Sequence, residues 1–271
     1  MKTQGWAQHG GVRLAWEALG GGEPVLFIHG LGYDRHGWGP APEMLADRFR
    51  VITFDNRGVG ESDAPPGPYS IAEMAADSTA VLTDAGVERA HVVGTSLGGL
   101  IAQELALRNP RRVRTLVLSS TTPGGEGALP MPQRGVERFA AFAEDPSPEN
   151  LRGLVENSLA AATIVSRPEL VEEIYRYRLE HPPRLEAWLA QAAAGAGFAS
   201  LAALPTLERP TRVVHGLDDN VVDYRNGELL ARAIPDAELL LMSYTGHLCF
   251  WERPAAFVET IVSFIDRRGG G

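Results

Sequence analysis

Short runs of almost wholly apolar residues recur along this chain, and stretches with helical spacing lie between them. The runs are residues 24–29, 50–55, 90–94, 113–119, 212–216 and 238–242. Strands that are apolar on both faces and alternate with helices belong to a parallel sheet covered on both sides. Residues 5–19 differ. They read as a hairpin turning at His9-Gly10-Gly11, which adds antiparallel strands at the sheet edge. The pattern predicts an α/β protein with a mostly parallel, doubly wound, eight-stranded sheet.

The helical stretches carry start and stop signals. Ser70-Ile71-Ala72-Glu73 is a capping box, after which Ile71, Ala75, Ser78, Leu82 and Ala85 share one face and Gly86 ends the helix. A second helix follows Ser96 through Leu100, Ile101, Leu105 and Leu107 and stops at Asn109-Pro110. Pro254 opens a last amphipathic helix through Phe257, Ile261, Phe264 and Ile265. Between residues 121 and 204 the strand rhythm breaks. Residues 121–132 are rich in Gly and Pro, and helical segments follow at 135–143, 148–160, 168–179 and 184–194. The expected organisation is a core domain of residues 1–122 and 205–271, interrupted by a helical cap of residues 123–204. Such a cap either covers the catalytic edge as a lid or serves only as a stabilising subdomain.

Composition narrows the chemistry. The 271 residues are 44% apolar and 22% charged, ordinary values for one large globular domain with an insertion. A net charge of −9 argues against nucleic acid and anionic membranes as partners. Lys2 is the only lysine, so Schiff-base and P-loop chemistry have no candidate in the body of the chain. Cys249 is the only cysteine, which excludes an internal disulfide and a thiolate metal cluster and fits a reducing cytoplasm. The N-terminus lacks an apolar core of signal-peptide length, and no run approaches the ~20 apolar residues of a membrane span. Residues 267–271 read as a frayed end. No metal or cofactor is expected, and the expected partner is a small molecule.

Gly94-Thr95-Ser96-Leu97-Gly98 lies between an expected strand and an expected helix, the context in which Gly-x-Ser-x-Gly carries information. The turn would lift the Ser96 hydroxyl above the sheet; the bland alternative is a glycine-rich turn with a solvated serine. A serine hydroxyl needs a base, and the base needs an orienting group. Of seven histidines, His247 follows the last strand and can reach the catalytic edge. His29 and His215 also end strands, and His29 is its rival. The acid is Asp219, with Asp218 as fallback, in His215-Gly216-Leu217-Asp218-Asp219. The other position for it, after Ser119, holds Ser120-Thr121-Thr122-Pro123 and no carboxylate. Oxyanion donors are expected from the backbone N–H of Leu97 and of Leu31 in His29-Gly30-Leu31-Gly32.

Together with Asp55-Asn56-Arg57-Gly58-Val59-Gly60-Glu61-Ser62, these motifs resemble the α/β-hydrolase superfamily over nearly the whole chain. Their spacing is most similar to the cofactor-free group of 3-oxoadipate enol-lactonases, carboxylesterases, perhydrolases and carbon–carbon bond hydrolases. The resemblance implies a serine hydrolase that cleaves a small carboxylic ester or lactone through an acyl-enzyme. The alternatives are an enol-lactonase-like or carbon–carbon bond hydrolase and, in a different class, a non-catalytic ligand receptor. Dehalogenase and epoxide hydrolase relatives carry aspartate where this chain has Ser96. Pocket candidates are His29, Gly30, Leu248, Trp188 and Phe142, with Tyr175, Tyr177 and Phe198 either beside them or in the cap core. Arg134, Arg138, Arg176, Arg178 and Arg184 are either solvated or receivers of a substrate carboxylate.

Overall fold

A computed structural model describes residues 2–269. The strands are β1 (Lys2–His9), β2 (Val12–Leu19), β3 (Glu23–Ile28), β4 (Phe49–Phe54), β5 (Ala90–Thr95), β6 (Val113–Ser119), β7 (Thr211–Gly216) and β8 (Ala237–Met242). They form one sheet in the order β1-β2-β4-β3-β5-β6-β7-β8. The N-terminal hairpin is antiparallel and turns at Gly10 and Gly11, both at positive φ; β2 meets β4 antiparallel, and every later pairing is parallel.

The helices are α1 (Ala41–Leu45), α2 (Ile71–Asp84), α3 (Leu97–Arg108), α4 (Gln133–Glu144), α5 (Pro148–Asn157), α6 (Ala161–Ser166), α7 (Pro168–Glu180), α8 (Leu185–Ala196), α9 (Arg225–Ala233), α10 (Cys249–Glu252) and α11 (Pro254–Arg268). Half of the expected capping box opens α2: the Ser70 hydroxyl accepts from the Glu73 N–H, but the Glu73 carboxylate accepts from that hydroxyl rather than from the Ser70 N–H. Successive strand residues point to opposite faces, which divides the core in two. Leu26, Ile52, Val92 and Leu116 pack with α2, α3 and α9, whereas Val25, Phe27, Val93 and Val117 pack with α1 and α11. No helix among the described residues is long and apolar enough to cross a membrane.

Five helices, α4 to α8, replace the expected four between β6 and β7, because residues 158–160 break the second segment and α6 follows as its own short helix. An antiparallel bridge between Gly124 and Ala199 ties the two ends of this excursion together. The sequence pattern also passed over α1, α9 and α10. Within α9, Gly227 is an unfavourable residue for a helix. It is there because the helix packs on a strand: a Cβ at that position would lie 2.8 Å from His215 Nδ1. The C-terminal stretch read as frayed is helical to Arg268, and Gly270 and Gly271 lie outside the described residues.

Candidate active site

The turn from β5 into α3 is as tight as its glycines suggest. A Cβ on Gly98 would lie 1.9 Å from the Ile28 carbonyl oxygen, and one on Gly94 would lie 2.3 Å from the Gly98 oxygen. Between them Ser96 sits at φ 53°, ψ −122°, a conformation that costs an ordinary residue about 1–3 kcal/mol and persists only where the surroundings enforce it. They do so here. The Ser96 N–H donates to the Ser119 carbonyl at 3.0 Å, and the Thr121 hydroxyl donates to the Ser96 carbonyl at 2.7 Å.

His247 follows β8 and Asp219 follows β7, and adjacent parallel strands deliver both to the edge where Ser96 stands. Asp219 Oδ2 accepts from His247 Nδ1 at 2.8 Å. It also lies 3.1 Å from His215 Nε2, while Oδ1 accepts the N–H groups of Val221 and Val222 at 2.8 and 2.9 Å. Burial alone would raise this carboxyl. The His247 charge and the hydrogen bonds from His215 and His247 outweigh it and hold Asp219 far below the usual carboxylate range. Asp218 is exposed and its side chain makes none of these hydrogen bonds.

The His247 loop is fixed from the helical excursion. The N–H of His247 donates to the Ser158 carbonyl at 2.9 Å. Buried Glu252 accepts from the Gly246 N–H at 2.6 Å and from Ala160 N–H and the Thr163 hydroxyl at 3.1 and 2.5 Å. With Nδ1 engaged by Asp219, the Nε2 of His247 is the nitrogen available to the cavity. Among the described residues no hydrogen bond joins Ser96 to His247; in ligand-free sites such contacts often tighten only in the complex.

Ser96 and His247 line one cavity with His29, Gly30, Leu31, Leu248 and Trp188. Neither the Leu31 nor the Leu97 N–H has a hydrogen-bond partner among the described residues. The cavity volume is about 50 Å³. Phe142 does not line the cavity. It packs against the edge of Trp188 at 5.4 Å, behind the wall, and Phe139, one turn earlier on α4, takes the lining place. Tyr175 is held under Arg152, Tyr177 donates to Asp34, and Phe198 is in the core.

The five arginines separate cleanly. Arg134, Arg138, Arg176 and Arg184 are exposed. Arg178 is buried, lines the cavity, stacks over Tyr33 at 4.0 Å and donates to the Gly32 carbonyl at 2.5 Å. No carboxylate among the described residues pairs with it.

A family model described as the alpha/beta hydrolase fold matches residues 23–254. This chain belongs to the α/β-hydrolase family. It is 32% identical, over 96% of its length and 97% of the relative, to a protein of Azorhizobium caulinodans named "Putative carbamate hydrolase RutD". It is 31% identical to the 2-hydroxy-6-oxo-6-phenylhexa-2,4-dienoate hydrolase of Comamonas testosteroni, over 94% of this chain and 92% of that one. The solved enol-lactonase of Burkholderia xenovorans LB400 superposes with a TM-score of 0.85 at 26% identity, covering 97% of this chain and 100% of that one.

In this α/β-hydrolase His29, the rival base, also lines the cavity, but Nε2, its one nitrogen without a partner among the described residues, is the one left to carry the ring proton. Its Nδ1 accepts the Gly30 N–H at 2.7 Å, and its ring is enclosed by Tyr33, Trp38 and Phe250. Burial lowers its pKa from 6.5 to about 3. Between those values the unfolded chain takes up a proton that the folded chain refuses, so stability falls as pH drops from 6.5 towards 3. Urea unfolding at pH 7 and 4.5 measures this. The loss should be smaller by about 2–3 kcal/mol in His29→Gln, which does not titrate. Equal losses in both proteins would contradict the assignment.

Proposed function

We propose that this protein is a serine hydrolase acting on a small carboxylic ester or lactone. The observation that carries the reading is the Asp219–His247 pair, whose histidine lines the same cavity as the strained Ser96. Ser96 Oγ attacks the carbonyl carbon while His247 Nε2 takes its proton. Asp219 holds the imidazolium, and the Leu31 and Leu97 N–H groups receive the oxyanion. His247 then protonates the departing alkoxide. Water, deprotonated by the same histidine, attacks the acyl-enzyme and frees Ser96 and the acid. The helical segment 123–204 acts as a lid: α4 and α5 bring Phe139, Leu154 and Val155 to the wall of the cavity that holds Ser96. The single buried Cys249 suits a reducing cytoplasm.

Arg178 favours a more specific reading, a substrate that carries a carboxylate. A buried guanidinium without a carboxylate partner is costly, and an anionic group placed beside it regains that energy. The dienoate named for the Comamonas relative has such a group. The test is a panel of a neutral p-nitrophenyl ester, a hemisuccinate ester, an enol-lactone acid, a vinylogous diketone acid and an aryl carbamate. Wild type should prefer the anionic members. Arg178→Met should lower the kcat/KM ratio of hemisuccinate to neutral ester by about 10- to 100-fold, the range for a lost charge-assisted contact. An unchanged ratio would remove the carboxylate from the reading. Turnover of no ester or lactone would remove the ester reading itself.

A further inference from the structure

Gln191 sits on α8, outside the cavity, and is fully buried. Its amide is used at both ends. Oε1 accepts the Gly32 N–H at 3.0 Å, and Nε2 donates to the Arg57 carbonyl at 2.7 Å. The orientation is fixed by these partners, because a flipped amide would set NH₂ against N–H and oxygen against carbonyl. Gly32 immediately follows Leu31, the donor assigned above to the oxyanion. It stands at φ +69° with Trp188 against its Cα, where a Cβ would meet Trp188 Cδ1 at 2.6 Å.

The other end of the bracket is equally firm. Arg57 is held by two hydrogen bonds to Asp77, at 2.6 and 2.9 Å. Its neighbour Asn56 donates to the His29 carbonyl at 3.0 Å. The loop from His29 to Gly32 is thus tied to the Asp55–Ser62 turn at its start through Asn56. At its end it is tied to the same turn through Gln191. Gln191 grips the Leu31–Gly32 peptide. The Leu31 N–H belongs to the peptide before it, whose Gly30 carbonyl accepts the Tyr33 N–H at 3.4 Å, so Gln191 limits the aim of the Leu31 N–H through the backbone angles of Leu31.

We propose that Gln191 is a positioning residue for the oxyanion hole, so that seating α8 on the core and aiming the Leu31 N–H are one event. This rests on the serine hydrolase reading above. An N–H that must meet a developing charge at about 2.7–3.1 Å loses effect when the residue that carries it is free to change its backbone angles. The segment 123–204 then does more than exclude water: it completes the catalytic geometry from outside the cavity.

The test compares phenyl acetate with phenyl thionoacetate, whose C=S sulfur is larger and a weaker acceptor. An aligned oxyanion hole strongly favours the oxygen ester. In Gln191→Leu, kcat on phenyl acetate should fall about 10- to 100-fold with KM little changed, less than the ~10²–10³ lost with a donor itself. The oxygen-to-sulfur rate ratio should fall by a similar factor. Gln191→Glu keeps an acceptor for the Gly32 N–H and should recover part of that ratio. The ratio is independent of how much protein is folded, so a poorly folding variant still reports. An unchanged ratio in Gln191→Leu would overturn the proposal, whatever happens to kcat. A wild type that hydrolyses neither ester would instead overturn the serine hydrolase reading.

Discussion

Ser96→Ala should lower kcat on p-nitrophenyl acetate by about 10⁴- to 10⁶-fold, the scale on which a serine hydrolase loses its nucleophile. The residual rate would come from the cavity and the Leu31 and Leu97 N–H groups acting on bound substrate and water. Stability should barely change. The elbow is held through the Ser96 backbone, whose N–H donates to the Ser119 carbonyl and whose carbonyl accepts the Thr121 hydroxyl; alanine retains both bonds and bears the same positive φ. A melting temperature within a few degrees of wild type, measured alongside kcat, separates lost chemistry from lost fold. A variant that keeps even a tenth of the wild-type rate would contradict the role given to Ser96.

Asp219→Asn should cost about 10⁴-fold in kcat near neutral pH. The reason lies in how the carboxylate is used. Oδ1 receives two backbone N–H groups, from Val221 and Val222. In an asparagine the oxygen must stay on that side, so the NH₂ turns to His247 Nδ1. That nitrogen then has to accept, and the proton moves to Nε2, where it blocks removal of the Ser96 proton. The same NH₂ also meets His215 Nε2, which faces the Val222 carbonyl at 3.1 Å and is therefore a donor itself. Two donors facing each other in a buried site should cost about 1–3 kcal/mol of stability. Turnover and urea midpoints of the variant check the two effects. Asp218→Asn, on the exposed neighbour, is the control that should change neither.

Much of this arrangement was legible before the fold. The parallel strands fall where the apolar runs predict them: β3, β5, β6 and β7 are largely buried on both faces, whereas β8, at the sheet edge, is only half-buried. The elbow, the Gly216-to-Asp219 turn and the His247 loop all sit at strand ends, which is why local motifs brought together residues more than a hundred positions apart. The helical excursion was harder. Helix phase alone does not tell Phe139 from Phe142, or Arg178 from Arg176, since all lie on amphipathic segments whose partner was unknown. Gln191 does carry a signal in the sequence. It shares a face with Ala187, Trp188 and Ala194, and a polar residue on an apolar face marks a buried hydrogen-bonding role. His215 likewise stands four residues before Asp219, but the sharing of one carboxylate oxygen by two histidines depends on how the turn folds back.

The most direct measurement is intact mass after exposure to a fluorophosphonate, followed by peptide mapping. Wild type should gain one adduct, on Ser96, and Ser96→Ala should gain none. A native protein that stays unlabelled, as a ligand receptor of this fold would, or that carries its adduct on another residue, would contradict the account.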